Sequence, residues 1–201
     1  MKSKILATLV AATTISAGAQ AGVLFQDDFD AEGTAGVSVT NYAGFANWTV
    51  SNGTVDLIAD PNRWGIDCVG GTGKCVDLDG SSSNAGTLSS DAFNLSAGTY
   101  SLIFDISGNQ RGGSNDSDSM LVTLGGFLSE TFSLSASDPW ETITRNFTVA
   151  TDTTDFISFN HNGGDNIGII LDNVSVVPEP ATLALLGLGL AGLGAARRRK
   201  A

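Results

Sequence analysis

Short runs of β-branched and aromatic residues recur along residues 22–177, and most of them are bounded by Gly, Asn, Asp or Ser. In residues 99–106 the large apolar side chains occupy every second position, the period of a strand that covers a core on one face. The runs predict strands at 23–26, 47–50, 54–59, 75–79, 86–95, 99–106, 120–124, 127–134, 141–149, 155–160 and 167–176. No segment of this region has a clear helical period. The pattern therefore predicts an all-β fold, a single antiparallel β-sandwich of the jelly-roll type.

The first 21 residues have a different pattern from the rest of the chain. Lys2 and Lys4 precede a mostly apolar, uncharged run, and small residues then lead to the triplet Ala19-Gln20-Ala21. This order of basic, apolar and small residues is typical of a secretory signal peptide. We predict a signal peptide at 1–21, with an ordinary first helix as the alternative, and an exported domain at 22–177.

The C-terminal segment, residues 178–201, contains an uncharged run from Ala181 to Ala196, followed by four basic residues. As a helix, this run would be about 24 Å long, slightly shorter than the roughly 30 Å of a bilayer's hydrocarbon core. Basic residues stay on the cytoplasmic side of a membrane. The run therefore predicts a marginal hydrophobic helix with transient inner-membrane insertion and places residues 22–177 outside the cytoplasm.

The sequence of this segment resembles the PEP-CTERM sorting signal. Pro178-Glu179-Pro180 precedes the apolar run, and Arg197-Arg198-Arg199-Lys200 follows it. The resemblance implies export machinery and an exosortase, a membrane transpeptidase-like enzyme, as partners. It also implies a Gram-negative bacterium that makes extracellular polysaccharide, and loss of the tail on delivery to the cell surface or extracellular matrix. An uncleaved anchor with the same topology is the alternative.

Charge separates the ends of the chain from its middle. The whole chain has 10 basic and 21 acidic residues and a net charge of −11. Residues 22–177 alone contain 4 basic and 20 acidic residues, a net charge of −16. Such a domain repels polyanions, so nucleic acid is not expected as a partner. Divalent cations are the natural counterions outside a cell.

Cys68 and Cys75 are the only cysteines of the chain, and the segment between them is rich in glycine. An even number of cysteines in an exported chain favours a disulfide. Metal ligation is the alternative, although no second cysteine or histidine pair completes a site. We predict a Cys68–Cys75 disulfide.

The sequence contains little that indicates catalysis. His161 is the only histidine, and no Gly-x-Ser-x-Gly motif accompanies it. Two of the many carboxylates could lie at the spacing that glycoside hydrolysis requires, so a secreted glycan hydrolase is the alternative to a non-enzymatic role. We do not expect an enzyme.

The last predicted strand contains a carboxylate in an apolar setting. Strict alternation puts Asp172 on the same face as Ile170, Val174 and Val176. A buried carboxylate is costly unless it is paired or bound to a metal. The acidic segment 27–30 becomes its neighbour if the first and last strands lie side by side.

Several short motifs resemble the galactose-binding-like jelly rolls that include many carbohydrate-binding modules. They are Asp28-Phe29-Asp30, residues 95–102, the strand that follows Trp140, and Leu171-Asp172-Asn173-Val174. The resemblance implies a structural calcium ion held by Asp30 and Asp172. Acceptance of backbone N–H groups at a strand end is the alternative role of Asp172.

Sugar binding requires aromatic faces and planar polar groups, which two predicted loops offer. Their candidate ligand-binding residues are Arg63, Trp64, Gln110 and Arg111. We expect Trp48 and Trp140 to be core residues, and alternation leaves Arg145 on an apolar face without an evident partner. The sequence favours an exported surface or matrix protein with a binding or structural domain for polysaccharide. A hydrolase and a passive coat or adhesion component are the alternatives.

Overall fold

The computed structural model describes residues 22–111 and 117–179, which form thirteen strands and one short 3-10 helix at Val69–Gly71. The strands are β1 (Phe25–Asp27), β2 (Trp48–Ser51), β3 (Asp56–Asp60), β4 (Gly73–Asp77), β5 (Thr87–Ser90), β6 (Phe93–Leu95), β7 (Gly98–Ser107), β8 (Ser117–Leu124), β9 (Leu128–Ser135), β10 (Glu141–Val149), β11 (Thr153–Asp155), β12 (Ile157–Asn162) and β13 (Ile170–Pro178). Within these residues no helix has the length and apolar character needed to cross a membrane. The predicted signal peptide and hydrophobic C-terminal helix lie outside the described residues.

Eleven of the thirteen strands form two large antiparallel sheets. The first sheet has the order β10-β7-β13-β4-β3, with β1 paired to β13. The second sheet has the order β2-β5-β12-β8-β9, and β6 pairs with β11 in a separate two-stranded unit. Side chains from both large sheets form one hydrophobic core. This arrangement confirms the predicted all-β sandwich.

The alternation in β7 is confirmed in detail. Tyr100, Leu102, Phe104 and Ile106 are buried in the main core. The ring of Phe104 contacts two rings of the second sheet, with centroid distances of 5.6 Å to Phe132 and 5.3 Å to Phe159. Such edge-to-face contacts add to the burial of apolar area that holds the two sheets together.

The predicted strand 86–95 is two strands that belong to different sheets. Its first part is β5, which pairs with β12, and its second part is β6, which pairs with β11. Asp91 and Ala92 between them are exposed, and the Asp91 N–H donates to the Asn47 carbonyl. The chain leaves the second sheet at this point, which the uninterrupted run of strand-forming residues did not indicate.

A β-bulge in β13 overturns the predicted placement of Asp172. The register of β13 against β7 shifts between Asp172 and Ser175, and Asn173 has a φ of 50°. Leu171 and Val174 both face the main core as a result. Asp172 pairs with Asp105, which lies on the outer face of the first sheet. The prediction that Asp172 shares a face with Val174 is wrong because the bulge breaks the alternation.

Candidate ligand clefts beside the disulfide loop

A small second hydrophobic cluster covers the outer face of the first sheet. Its buried members are Ile58, Ile66, Cys68, Cys75 and Ile170. Cys68 and Cys75 form a disulfide with a Cα–Cα distance of 5.5 Å, as predicted from their number and the exported context. The segment 61–72, called the Trp64 loop below, is thereby fixed against β4.

Asn62 shapes the start of the Trp64 loop. Its Oδ1 accepts the N–H groups of Trp64, at 2.9 Å, and Ile66, at 3.3 Å, and its Nδ2 donates to the Ile66 carbonyl at 2.6 Å. An Asn side chain that bonds to the backbone ahead of it is a standard way of stabilising a turn. The Asn62 side chain therefore fixes the backbone at Trp64 and Ile66.

The first cleft lies between the Trp64 loop and residues 36–40, and its volume is about 390 Å³. Its walls include Val37, Ser38, Arg63 and Trp64. The guanidinium carbon of Arg63 is 4.8 Å from the centre of the Trp64 ring, a cation–π distance. Arg63 is exposed, whereas Trp64 is half-buried against the second cluster. One predicted pair of ligand-binding residues thus meets at a concave surface.

A second cleft of about 300 Å³ lies beside Asp67. Trp140, Pro139, Asp138 and Gln110 line it. Trp140 is half-buried, so the prediction that it is a core residue is wrong, whereas Trp48 is buried as predicted. Trp140 packs on the second cluster and its Nε1 donates to the Asp67 carbonyl at 3.0 Å. Its position just before β10 had suggested the start of a core strand and did not reveal this cleft.

Gln110 is held by the backbone of Asp67. Its Oε1 accepts the Asp67 N–H and its Nε2 donates to the Asp67 carbonyl, both at 2.9 Å. This two-point contact joins the end of β7 to the Trp64 loop. Gln110 therefore positions the loop that contributes residues to both clefts.

Arg111 contacts Asp77, whereas the neighbouring Gln110 contacts Asp67. Its Nη2 lies 2.7 Å from Oδ2 of Asp77, and its Nη1 donates to the Asn166 carbonyl at 2.7 Å. Asp77 is fully buried, and burial raises its pKa well above that of an exposed aspartate, although Arg111 opposes the shift. Arg111 lines neither of the two clefts described here.

The structure brings the predicted calcium ligands Asp30 and Asp172 close enough that, besides burial, the charge of Asp30 raises the pKa of Asp172. Asp30 is exposed, and its Oδ1 accepts the Lys74 N–H at 2.6 Å. The oxygens of the buried Asp172 accept the N–H groups of Val69, at 3.1 Å, and Asn173, at 2.7 Å. Burial raises the pKa of Asp172 to about 7, and the negative charges of Asp30 and Asp105 add to the rise. Asp172 thus has the N–H acceptor role that was the alternative to metal binding.

Lys74 supplies a positive charge beside Asp30. The side chain is 4% exposed, and its Nζ donates to the carbonyl oxygens of Asp30, at 3.1 Å, and Glu32. Among residues 22–111 and 117–179, no group of three or more His, Cys, Asp or Glu side chains is arranged to hold a metal ion. Calcium usually takes six to eight oxygen ligands. Asp30 and Asp172 therefore do not form a complete calcium site by themselves, and the structural calcium ion stays a prediction.

His161 is buried on β12 of the second sheet. Its Nε2 accepts the Ile169 N–H at 3.2 Å, and its Nδ1 has no hydrogen-bond partner among the described residues. Burial lowers the pKa of His161, while Asp79 and Asp165 oppose the shift. This side-chain hydrogen bond ties β12 to the chain that leads into β13.

The sorting motif begins on the first sheet. Pro178 is the last residue of β13 and pairs with Tyr100 of β7. The Glu179 N–H donates to the Thr99 carbonyl at 2.8 Å. Pro180 lies outside the described residues, so the structure places two of the three motif residues.

Residues 176–200 match the family model of the PEP-CTERM protein-sorting motif. The match confirms the resemblance of the C-terminal segment to that signal. The motif indicates export and membrane-anchored transit before cleavage by an exosortase. It covers the C-terminal segment and leaves the sandwich to be interpreted from its own residues.

Solved structures with a similar fold come from several kinds of protein. A carbohydrate-binding module of Cellvibrio mixtus lichenase 5A, solved with cellotriose, is 15% identical, covers 72% of this chain and 98% of its own, and has a TM-score of 0.41. The K3 cleaved adhesin domain of Lys-gingipain from Porphyromonas gingivalis is 16% identical over 78% of this chain and 98% of its own, with a TM-score of 0.48.

An exo-beta-1,3-galactanase from Phanerochaete chrysosporium, solved with beta-1,3-galactotriose, is 17% identical over 71% of this chain, with a TM-score of 0.40. The chain spans 29% of the length of that enzyme. No curated protein sequence matches this chain. The choice of a ligand for the sandwich therefore rests on its own clefts and charges.

Proposed function

We propose that this chain is an exported surface or matrix protein whose sandwich binds neutral polysaccharide in the cleft at Arg63 and Trp64. The observation that carries the proposal is that three of the four basic residues of the domain have hydrogen-bond or ion-pair partners within it, whereas Arg63 has no ion pair among the described residues. Lys74 donates to backbone carbonyls, Arg111 pairs with Asp77, and Arg145 pairs with Glu130. Arg63 has no ion pair with any described residue and lies exposed beside an indole ring.

The chemistry of this pair suits a sugar. The Arg63 guanidinium lies over the Trp64 ring, so a pyranose packs its apolar face on this indole once the exposed Arg63 side chain moves aside. The displaced guanidinium then donates several hydrogen bonds in a fixed plane to ring hydroxyls. Ligand sites in proteins commonly combine an aromatic wall with a few such polar groups. The net charge of −16 on residues 22–177 disfavours a polyanionic glycan, which supports a neutral one.

Affinity electrophoresis of the purified protein in gels containing neutral glucans or galactans tests the proposal. We expect retardation that Trp64→Ala reduces about tenfold or more and that Arg63→Ala also weakens. Trp140→Ala is the matched control, because it removes an indole from the second cleft only. Equal loss of retardation in the two Trp variants would assign binding to both clefts. Undiminished retardation of Trp64→Ala would reject the first cleft as the binding site.

The same gels separate the alternatives. A glycan hydrolase releases reducing ends from the retained polymer, whereas a binding module does not. A passive coat or adhesion component shows neither retardation nor release. Inclusion of a polyuronate tests the charge argument, since a neutral-glycan site predicts no retardation by it.

A further inference from the structure

The described part of the sorting motif is paired with a strand of the sandwich. Thr99 and Glu179 are joined by a backbone hydrogen bond, and Tyr100 lies opposite Pro178. Hydrogen-bonded and non-hydrogen-bonded pairs alternate along an antiparallel ladder. Pro178 therefore occupies a non-hydrogen-bonded position, where its missing N–H costs no ladder bond. The sheet can thus extend into the motif despite the proline.

A side-chain contact adds to this pairing. The Ser101 hydroxyl lies within hydrogen-bond distance of the Glu179 carboxylate and, at 2.9 Å, of Asn146 Oδ1. Its single hydrogen is donated to the carboxylate, the stronger acceptor of the two. Ser101 is only 5% exposed, and Glu179 is half-buried. A hydrogen bond to an ionised acceptor is stronger than one between neutral groups. Both the backbone N–H and the carboxylate of Glu179 are therefore occupied by β7.

We propose that the folded sandwich masks the start of the sorting motif, so that the sorting enzyme binds Pro178-Glu179-Pro180 only after Pro178 and Glu179 detach from β7. Ser101 is the positioning residue that holds the masked state. The proposal rests on the processing that the PEP-CTERM motif implies and is independent of glycan binding. Strand ends open at low free-energy cost, so masking slows removal of the tail and does not prevent it.

Amide hydrogen exchange on the full-length chain in detergent, without the sorting enzyme, measures the masking itself. We expect the Glu179 amide to be protected in the natural chain. Ser101→Ala should raise its exchange rate about tenfold, the factor that corresponds to 1.4 kcal/mol. Ser89→Ala is the matched control, because it also removes a serine hydroxyl, one that contacts the Ser158 hydroxyl at 3.3 Å in the second sheet. It should leave exchange at Glu179 unchanged.

Pulse-chase labelling in cells that contain the sorting enzyme measures the consequence. We expect Ser101→Ala to lose its tail several-fold faster than the natural chain, and Ser89→Ala to lose it at the natural rate. An unprotected Glu179 amide overturns the proposal, as does a Ser101→Ala chain that opens faster but is processed no faster. A natural chain that keeps its tail rejects the sorting function itself, which is a different result from masking without effect.

Discussion

Arg145 and Glu130 form a two-point ion pair in which Nε and Nη2 each lie 2.6 Å from one carboxylate oxygen. Arg145 is on β10, an edge strand of the first sheet, and Glu130 is on β9, an edge strand of the second. The pair therefore joins the two sheets along one open side of the sandwich. The guanidinium also lies 5.3 Å from the centre of the Phe132 ring. These contacts account for a basic residue at an otherwise apolar strand position.

Glu130→Gln should lower the free energy of unfolding by no more than about 1 kcal/mol. The side chains of Arg145 and Glu130 are 37% and 36% exposed, so solvent screens the pair. The hydrogen bond from Arg145 lowers the pKa of Glu130. The stabilisation is therefore present at neutral pH and is lost as the pH falls through that lowered pKa. Denaturant titrations of the single variants and of Glu130→Gln/Arg145→Met measure the coupling, which should vanish at low pH.

Asp172 should make the sandwich less stable as the pH rises. Its pKa of about 7 in the folded state exceeds the ordinary aspartate value, so folding favours the protonated carboxyl. The resulting stabilisation is complete below about pH 4 and is lost as the pH rises through 7. Between pH 5 and pH 8 the loss is roughly 2–3 kcal/mol. Asp172→Asn should flatten this part of the stability profile; a profile identical to that of the natural chain would contradict the assignment.

Thermal unfolding with and without calcium tests the predicted calcium ion at Asp30 and Asp172. If Asp30 and Asp172 hold a calcium ion, the cation offsets their mutual repulsion, and the melting temperature at pH 8 rises with added calcium. Chelator should reverse the rise, and Asp30→Asn should abolish it. Asp138→Asn is a control, because that carboxylate accepts a backbone N–H from Ser135 elsewhere in the fold. A melting temperature that responds to neither calcium nor chelator rejects the site.

The sequence predicted those features that depend on local pattern or on covalent chemistry. The alternation of β7 and the Cys68–Cys75 pair are examples, since a two-residue period and an even cysteine count require no knowledge of distant contacts. Features set by tertiary contacts were missed. Trp140 lines a cleft because the Asp67 carbonyl lies beside its indole, and the partner of Arg145 comes from another sheet.

Backbone irregularity caused the error in the placement of Asp172. Asp172 looked like a core carboxylate because alternation was extended through Asn173, whose positive φ marks the bulge. A single inserted residue reverses which side chains face the core, and Asn is one of the residues that tolerate this conformation. The adjacent Asp172-Asn173 pair was the only local signal of a break in the strand.

Arg111 should be required for stability more than for glycan binding. Arg111→Met leaves the Asp77 carboxylate buried without its cation, a loss that typically costs about 3–5 kcal/mol. Asp77→Asn in the same chain removes the charge that needs compensation, so the double variant should recover part of the loss. Unfolding in denaturant measures both effects.

Glycan retardation under conditions where all variants are folded completes the test. We expect the Arg111→Met/Asp77→Asn chain to be retarded like the natural protein, because Arg111 contacts Asp77 and Asn166 and lies outside the cleft at Trp64. Arg63→Ala is the matched change of an arginine inside that cleft and should weaken retardation without loss of stability. The reverse pattern, a stable Arg111→Met chain that no longer binds glycan, would make Arg111 a ligand-binding residue and would move the site away from Trp64.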